Sequence, residues 1–251
     1  MMHKTWLTIA LLGALPLVAT AQESGWSGSG EFGLAMARGN TSSDNANGKL
    51  AFANEDDQWK HAYYLSALRN KTEVSVDTDG DGVLEKLKQT SANRYELGAS
   101  SALKVSEISS WFAALRYEND DFAAYAHQTS FSLGYGRTLI KNERTSLSTQ
   151  IGPGYRRAKD AVTGQTEADL IGRGLLDFKH QLTASTALFD LLLVEAGSSN
   201  TFASNEFGIA VAINEKLALK AGFDVRHNTD VGALTKNTDT LTKVNLVYNF
   251  K

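Results

Sequence analysis

The chain has 251 residues, no cysteine and two prolines, with 25 basic against 28 acidic side chains and a formal net charge of −3. These counts exclude a disulfide framework and a cysteine metal cluster, and they exclude the basic balance of a nucleic-acid-binding domain, so no nucleic-acid partner is expected. A mean hydropathy of −0.25 also argues against a bundle of transmembrane helices, each of which needs about 20 apolar residues.

In chain order, Met1 to Lys4 is a short basic segment and Leu7 to Val18 an apolar stretch of secretory length. Ala19-Thr20-Ala21 is a small-x-small cleavage site. Together they read as a bacterial signal peptide over 1–21, cleaved after Ala21, and residues 22–251 are left to fold. The rest alternates. Trp26, Gly28, Gly30, Phe32, Leu34 and Met36 share one face of a strand, against Ser27, Ser29 and Glu31 on the other. Trp111, Ala113, Leu115 and Tyr117 oppose Arg116 and Glu118; Phe131, Leu133 and Tyr135 oppose Ser130, Ser132, Gly134 and Gly136. Period-two contrast of this kind is the signature of a strand with unlike faces. It predicts about twelve strands, near 26–38, 45–54, 59–70, 91–103, 109–118, 126–139, 145–156, 168–182, 186–197, 202–213, 217–227 and 239–250. Segment 186–197 fits least well, because Leu191 to Val194 are apolar on both faces.

The connections alternate in length. Long ones are expected near 39–44, 71–90, 119–125, 157–167, 198–201 and 228–238, and tight turns near 55–58, 104–108, 141–144, 183–185 and 214–216. Long loops on one rim and short turns on the other are what an outer-membrane barrel shows. Pro153 falls inside a predicted strand, where it removes a ladder hydrogen bond, and a bulge or kink is expected there. The chain ends with Val244, Leu246, Tyr248 and Phe250 alternating with polar residues, and Lys251 follows the final aromatic. Such a strand resembles the terminal signal that barrel assembly machinery reads, here through Tyr248 and Phe250.

Alternation alone also fits a soluble periplasmic barrel that binds a ligand inside, with its apolar face inward. Three features favour the inverted arrangement with membrane lipids outside. The polar face is rich in small and charged residues. Trp26, Trp59 and Trp111 all fall at the start of upward strands on the apolar face, and Tyr117 and Tyr155 fall at the far ends of such strands. Interfacial aromatic girdles produce that pattern. The expected fold is therefore all-β, an antiparallel transmembrane β-barrel in the outer membrane.

Glu31, Lys49, Arg94, Glu96, Arg116, Glu118, Arg137, Arg156, Arg173, Asp177, Lys220, Asp224 and Arg226 are the expected lumen charges. They either form a narrow polar pore for small solutes or close the lumen as a structural envelope protein. Asp77-Thr78-Asp79-Gly80-Asp81-Gly82-Val83-Leu84-Glu85 matches the start of a calcium loop. Asp77, Asp79, Asp81, the Val83 carbonyl and Glu85 are the candidate ligands of a weakly bound Ca²⁺. Lys88 stands where the closing bidentate carboxylate belongs, and an acidic solvated loop explains the segment equally. No other cofactor is expected.

A lipid hydrolase would need a nucleophile, a base and an orienting group in contact. His61, His127, His180 and His227 are scattered over different predicted strands, and there is no Gly-x-Ser-x-Gly elbow. The expectation is that the chain is not an enzyme.

Gly152-Pro153-Gly154-Tyr155-Arg156, Leu192-Leu193-Val194-Glu195-Ala196-Gly197-Ser198 and Val225-Arg226-His227-Asn228-Thr229-Asp230 carry a family resemblance, as do Thr238-Asp239-Thr240-Leu241 and the early Arg38-Gly39-Asn40-Thr41. On these segments the chain resembles the YdiY-like salt-induced outer membrane proteins, which share the domain of unknown function numbered 481. The resemblance implies a β-barrel in the outer membrane of Gram-negative bacteria, with a link to salt or osmotic stress. It implies no agreed activity and carries over no functional residue.

Overall fold

The computed structural model describes residues 25–37, 43–77, 79, 84–231 and 236–250. The expected signal peptide, 1–21, lies outside them. Twelve strands follow one another: β1 (Gly25–Ala37), β2 (Ser43–Glu55), β3 (Trp59–Val76), β4 (Glu85–Ser106), β5 (Ser109–Asp120), β6 (Tyr125–Lys141), β7 (Thr145–Asp160), β8 (Thr166–Gln181), β9 (Thr186–Gly197), β10 (Thr201–Ala212), β11 (Leu217–Asn228) and β12 (Thr238–Phe250). Each is antiparallel to its neighbours in sequence, and β12 returns to β1, so the sheet closes into a barrel. Closure leaves no sheet edge, which is the condition for spanning hydrocarbon with strands.

The two faces divide as the period-two pattern requires. Most leucines, isoleucines and aromatics point out: Leu170 is 81% exposed, Ile151 68% and Trp26 62%. Charged side chains point in and are covered, with Glu118 at 2% and Glu195 at 1%. A soluble barrel buries the opposite face. Aromatic side chains pair on the outer wall. Trp26 stacks with Tyr63, and Trp111 meets Tyr135 edge-on, both near the turn rim. Tyr95 contacts Tyr117 toward the loop rim.

The tight turns share one device. Asp56 Oδ1 accepts from the backbone N–H of Gln58 (2.8 Å) and Trp59 (2.7 Å). Asn142 Oδ1 accepts from Arg144 (3.0 Å) and Thr145 (2.8 Å), and Asn214 Oδ1 from Lys216 and Leu217 (both 2.9 Å). A short side chain thus satisfies the N–H groups that a sharp reversal strips from the ladder.

Three expectations change. The segment expected as a loop over 71–90 is largely paired strand. β3 and β4 run on from a register shift at Asn70/Lys71 up to the Val76–Glu85 pair and form a hairpin that outlasts its neighbours. The connection near 198–201 is short, because β9 ends at Gly197 and β10 begins at Thr201.

Pro153 introduces no register shift either. On its β6 side the ladder passes from Ser132↔Gly154 to Tyr135↔Ile151 in unchanged register, with two pairs absent between, and on its β8 side Pro153 pairs with Gly172. The flanking glycine explains the tolerance. A Cβ on Gly152 would lie 2.0 Å from the Leu133 carbonyl oxygen and 2.6 Å from the Gly134 Cα, so the two strands approach where no side chain fits.

The closing seam is the shortest pairing. β1 and β12 share five register pairs, Gly28↔Phe250 to Phe32↔Leu246, whereas β1 and β2 share thirteen. There the ring of Phe250 lies over Gly28, at 2.0 Å from where a Cβ would stand. An aromatic side chain thus covers the glycine of its register partner.

Candidate functional site

The inward side chains assemble into three ionic groups, two of which join strands that are far apart in sequence. The first crosses the middle of the barrel. Arg116 on β5 bonds Glu118 (Nη1–Oε2, 2.6 Å) and reaches Glu195 on β9 (Nη2–Oε2, 2.9 Å). Arg226 on β11 pairs with the same Glu118 and with Glu96 (3.4 Å). The Tyr64 hydroxyl donates to Glu96, and Ser130 Oγ donates to Glu195 (2.6 Å). Phe202, 1% exposed, lies among them, its ring centroid 4.4 Å from the Arg116 guanidinium carbon and 4.9 Å from that of Arg226. Two cations against one aromatic ring, held by three carboxylates, occupy this level of the lumen.

The second group lies on the wall where the barrel closes. Lys220 Nζ is 2.9 Å from Glu31 and 2.7 Å from Glu206. Lys243 bonds Glu206 (3.0 Å) and Asp224 (2.9 Å), and Lys49 approaches Glu206 at 3.5 Å. The third lies toward the loop rim. Arg156 Nη2 is 3.1 Å from Asp169, which accepts from Ser198 Oγ (2.9 Å) and the Ser199 backbone N–H (3.2 Å). Asn200 Oδ1 in turn accepts from the N–H of Thr229 (2.9 Å) and Asp230 (3.1 Å). The short β9–β10 connection is thereby tied across the barrel end.

Space remains beside these groups. A cavity of about 360 Å³ occupies the middle of the lumen, and a second of about 210 Å³ adjoins it toward the loop rim, bordered by Asn70, Ser91, Asp120 and Asp239. Leu68, Arg94, Asp224, Arg226 and Leu241 line both. The only ion pair of Arg94 among the described residues is a loose one, 3.8 Å to Asp120.

Of the sequence-predicted lumen charges, Glu31, Lys49, Lys220 and Asp224 meet in the second group, and Glu96, Arg116, Glu118 and Arg226 in the first. Arg156 stands in the third. Arg173 faces the mid-lumen cavity, and Asp177 pairs with Lys179 (3.5 Å) near the turn rim. Arg137 is a correction. It alternates with the inward Gly134 and Gly136, pairs with Thr149 and is exposed on the outer wall. Glu195, Glu206, Lys243, Asp169, Tyr64 and Phe202 were not singled out from sequence. Glu195 was masked by its leucine neighbours on β9, which are apolar on both faces and so give no parity to place it.

Asp77, Asp79 and Glu85 stand at the end of the β3–β4 hairpin, and the other two candidate calcium ligands, Asp81 and Val83, lie outside the described residues. Among the described residues no three His, Asp or Glu side chains gather to hold a metal ion. His61, His127, His180 and His227 all lie on the outer face, on β3, β6, β8 and β11.

Closed antiparallel topology, an apolar outer wall and an ionic lumen together define a barrel of the outer-membrane type. The match to the family model described as "Protein of unknown function, DUF481" spans residues 30–250, and the chain belongs to this family. It is 25% identical over 162 residues to the uncharacterized protein YdiY of Escherichia coli (strain K12), covering 64% of each chain. Its fold is similar to that of the NanC porin, with a TM-score of 0.50, 8% identity and coverage of 89% of this chain and 98% of that one. The translocator domain of the autotransporter NalP from Neisseria meningitidis superposes with a TM-score of 0.49 at 13% identity, over 91% and 89% of the two chains.

Proposed function

We propose that the protein is an outer-membrane barrel that passes small polar or ionic solutes through a narrow lumen. In this reading the signal peptide is removed after Ala21, the turn rim faces the periplasm, and membrane lipids contact the apolar wall. The strand carrying Tyr248 and Phe250 presents the chain to the assembly machinery. One observation carries the reading: two adjoining cavities remain inside the lumen beside the ion network, and Arg94 and Arg226 line both. Residues that line both spaces form the constriction, and its mixed charges select for small hydrophilic solutes by size and local field.

Single-channel recording in planar bilayers tests this. Wild-type protein should give small, resolved current steps, and Arg94→Ser, which removes the weakly held side chain at the constriction, should enlarge them. Sealed traces from both proteins would overturn the proposal in favour of a closed structural barrel, which the ion network crossing the lumen would then explain.

A further inference from the structure

The mid-lumen cavity is divided chemically. Six cationic and five carboxylate side chains line it, and Arg173 is the one of these cations with no ion pair among the described residues. Its guanidinium donates to Gln150 Oε1 (2.9 Å) and lies 5.1 Å from the Phe112 ring centroid. Its register partner, Glu195, is already engaged by Arg116 and Ser130.

Two further donors on the same wall are unused. Ser132 Oγ, in a residue 1% exposed, and Arg116 Nε have no hydrogen-bond partner among the described residues, and both residues line the cavity. Arg116, Ser132 and Arg173 stand on β5, β6 and β8, whereas unpartnered acceptor oxygens at the cavity (Asp224 Oδ1 and Asn245 Oδ1) belong to the lysine-rich wall of β11 and β12. A buried donor without an acceptor is costly, and an anionic oxygen is the group that relieves several at once.

The same cavity has an apolar stretch. Leu175, two residues beyond Arg173 on the inner face of β8, pairs with Leu193 on β9, and Leu191 continues that face. These leucines contribute nothing to the ion network, and they spoil the polar face that the rest of the lumen presents. A volume of about 360 Å³ is at the small end of ligand pockets, which run from about 300 to 1,000 Å³.

We infer that the mid-lumen cavity binds a small organic acid, its carboxylate held by Arg173 and the free donors of Ser132 and Arg116, its hydrocarbon body against Leu175, Leu191 and Leu193. This deepens the proposed passage and rests on it for the route of entry, but binding itself needs no current.

Calorimetric titration of the folded barrel in detergent decides it, with hexanoate, hexanol, hexylamine and acetate as probes. Hexanoate should bind saturably. Hexanol and hexylamine should not compete with it, and acetate should bind at least about tenfold more weakly for lack of the apolar contact. Arg173→Gln should weaken hexanoate at least about tenfold, and Arg173→Lys, which keeps the charge but loses the fork, should fall between. The probe series on wild-type protein stands even if a variant fails to fold. Hexanol competing as well as hexanoate, acetate binding equally tightly, hexanoate binding undiminished in folded Arg173→Gln, or no binding at all would overturn the inference. A sealed barrel that binds hexanoate refutes only the passage, and a conducting barrel indifferent to hexanoate refutes only the site.

Discussion

Arg116 and Glu195 meet across the lumen at 2.9 Å although they are 79 positions apart in the chain. Both are covered from solvent, so their pairing reflects balance more than surplus stability: desolvating two charges offsets most of what their attraction returns. Loss of one partner is another matter. Arg116→Met leaves Glu195 with Ser130 as its remaining side-chain donor and removes one of the two arginines on Glu118. The expected loss is about 3 kcal/mol of unfolding free energy, read from the denaturant midpoint in detergent. Arg116→Met with Glu195→Met should lose clearly less than the sum of the two single changes, because neither charge is then left alone. Strict additivity would show that the two residues do not interact.

The β6–β7 contact around Pro153 makes a sharper steric claim. Gly152→Ala would set a Cβ 2.0 Å from a backbone oxygen, and backbone cannot swing aside as a side chain can. We expect a loss of about 2–3 kcal/mol and a slower return to the folded, heat-modifiable form on denaturing gels. Gly172→Ala, on the pairing partner of Pro153, meets nothing within 4 Å and should be nearly neutral. Equal behaviour of the two variants would remove close approach as the reason for the glycine.

The β2–β3 turn gives a pH prediction. The backbone N–H groups of Trp59, first, and Gln58 hold the exposed Asp56 carboxyl below the usual carboxylate range. A depressed folded-state pKa means that the stabilisation is present above the unfolded value of about 3.9 and is lost as pH falls through the lower folded value. Carbon-detected NMR should therefore place the Asp56 midpoint below 3.9. Asp56→Ala should speed amide exchange at Gln58 and Trp59 at neutral pH. A midpoint at or above the model-peptide value would mean that the turn does not use the carboxylate.

The strands and their lipid-facing parity were legible from local pattern, because a period of two is written into each segment separately. Trp26, Trp59 and Trp111 marked one rim before any pairing was known. Arg137 shows how parity is lost by proximity: it follows the inward Gly136, and one residue turns a side chain to the other face. The chords of the barrel were not legible. That Arg116 meets Glu195, and Lys220 meets Glu31, depends on how twelve strands close, and no spacing in the chain encodes it. The two-faced apolar run Leu191 to Val194 hid both a lumen carboxylate, Glu195, and an outward one, Asp190.

Asp190 is a carboxylate on the outer wall, and it yields the last prediction. It shares a face with Leu188 and Leu192, pairs in register with Phe178 and Phe207, and accepts from the Asn205 side-chain amide of β10. A carboxylate and an amide facing lipid satisfy each other in part, but each keeps unmet polar capacity where water is scarce. Asp190→Leu alone strands Asn205, so it should bring little gain. Asp190→Leu with Asn205→Leu removes both groups together and should raise the unfolding free energy in lipid vesicles by about 1–2 kcal/mol. The same double change in a detergent that admits water should gain less, since the polar pair is hydrated there. If the double variant is less stable than wild type in vesicles, Asp190 and Asn205 do not face hydrocarbon, and the apolar band must be redrawn around β9 and β10.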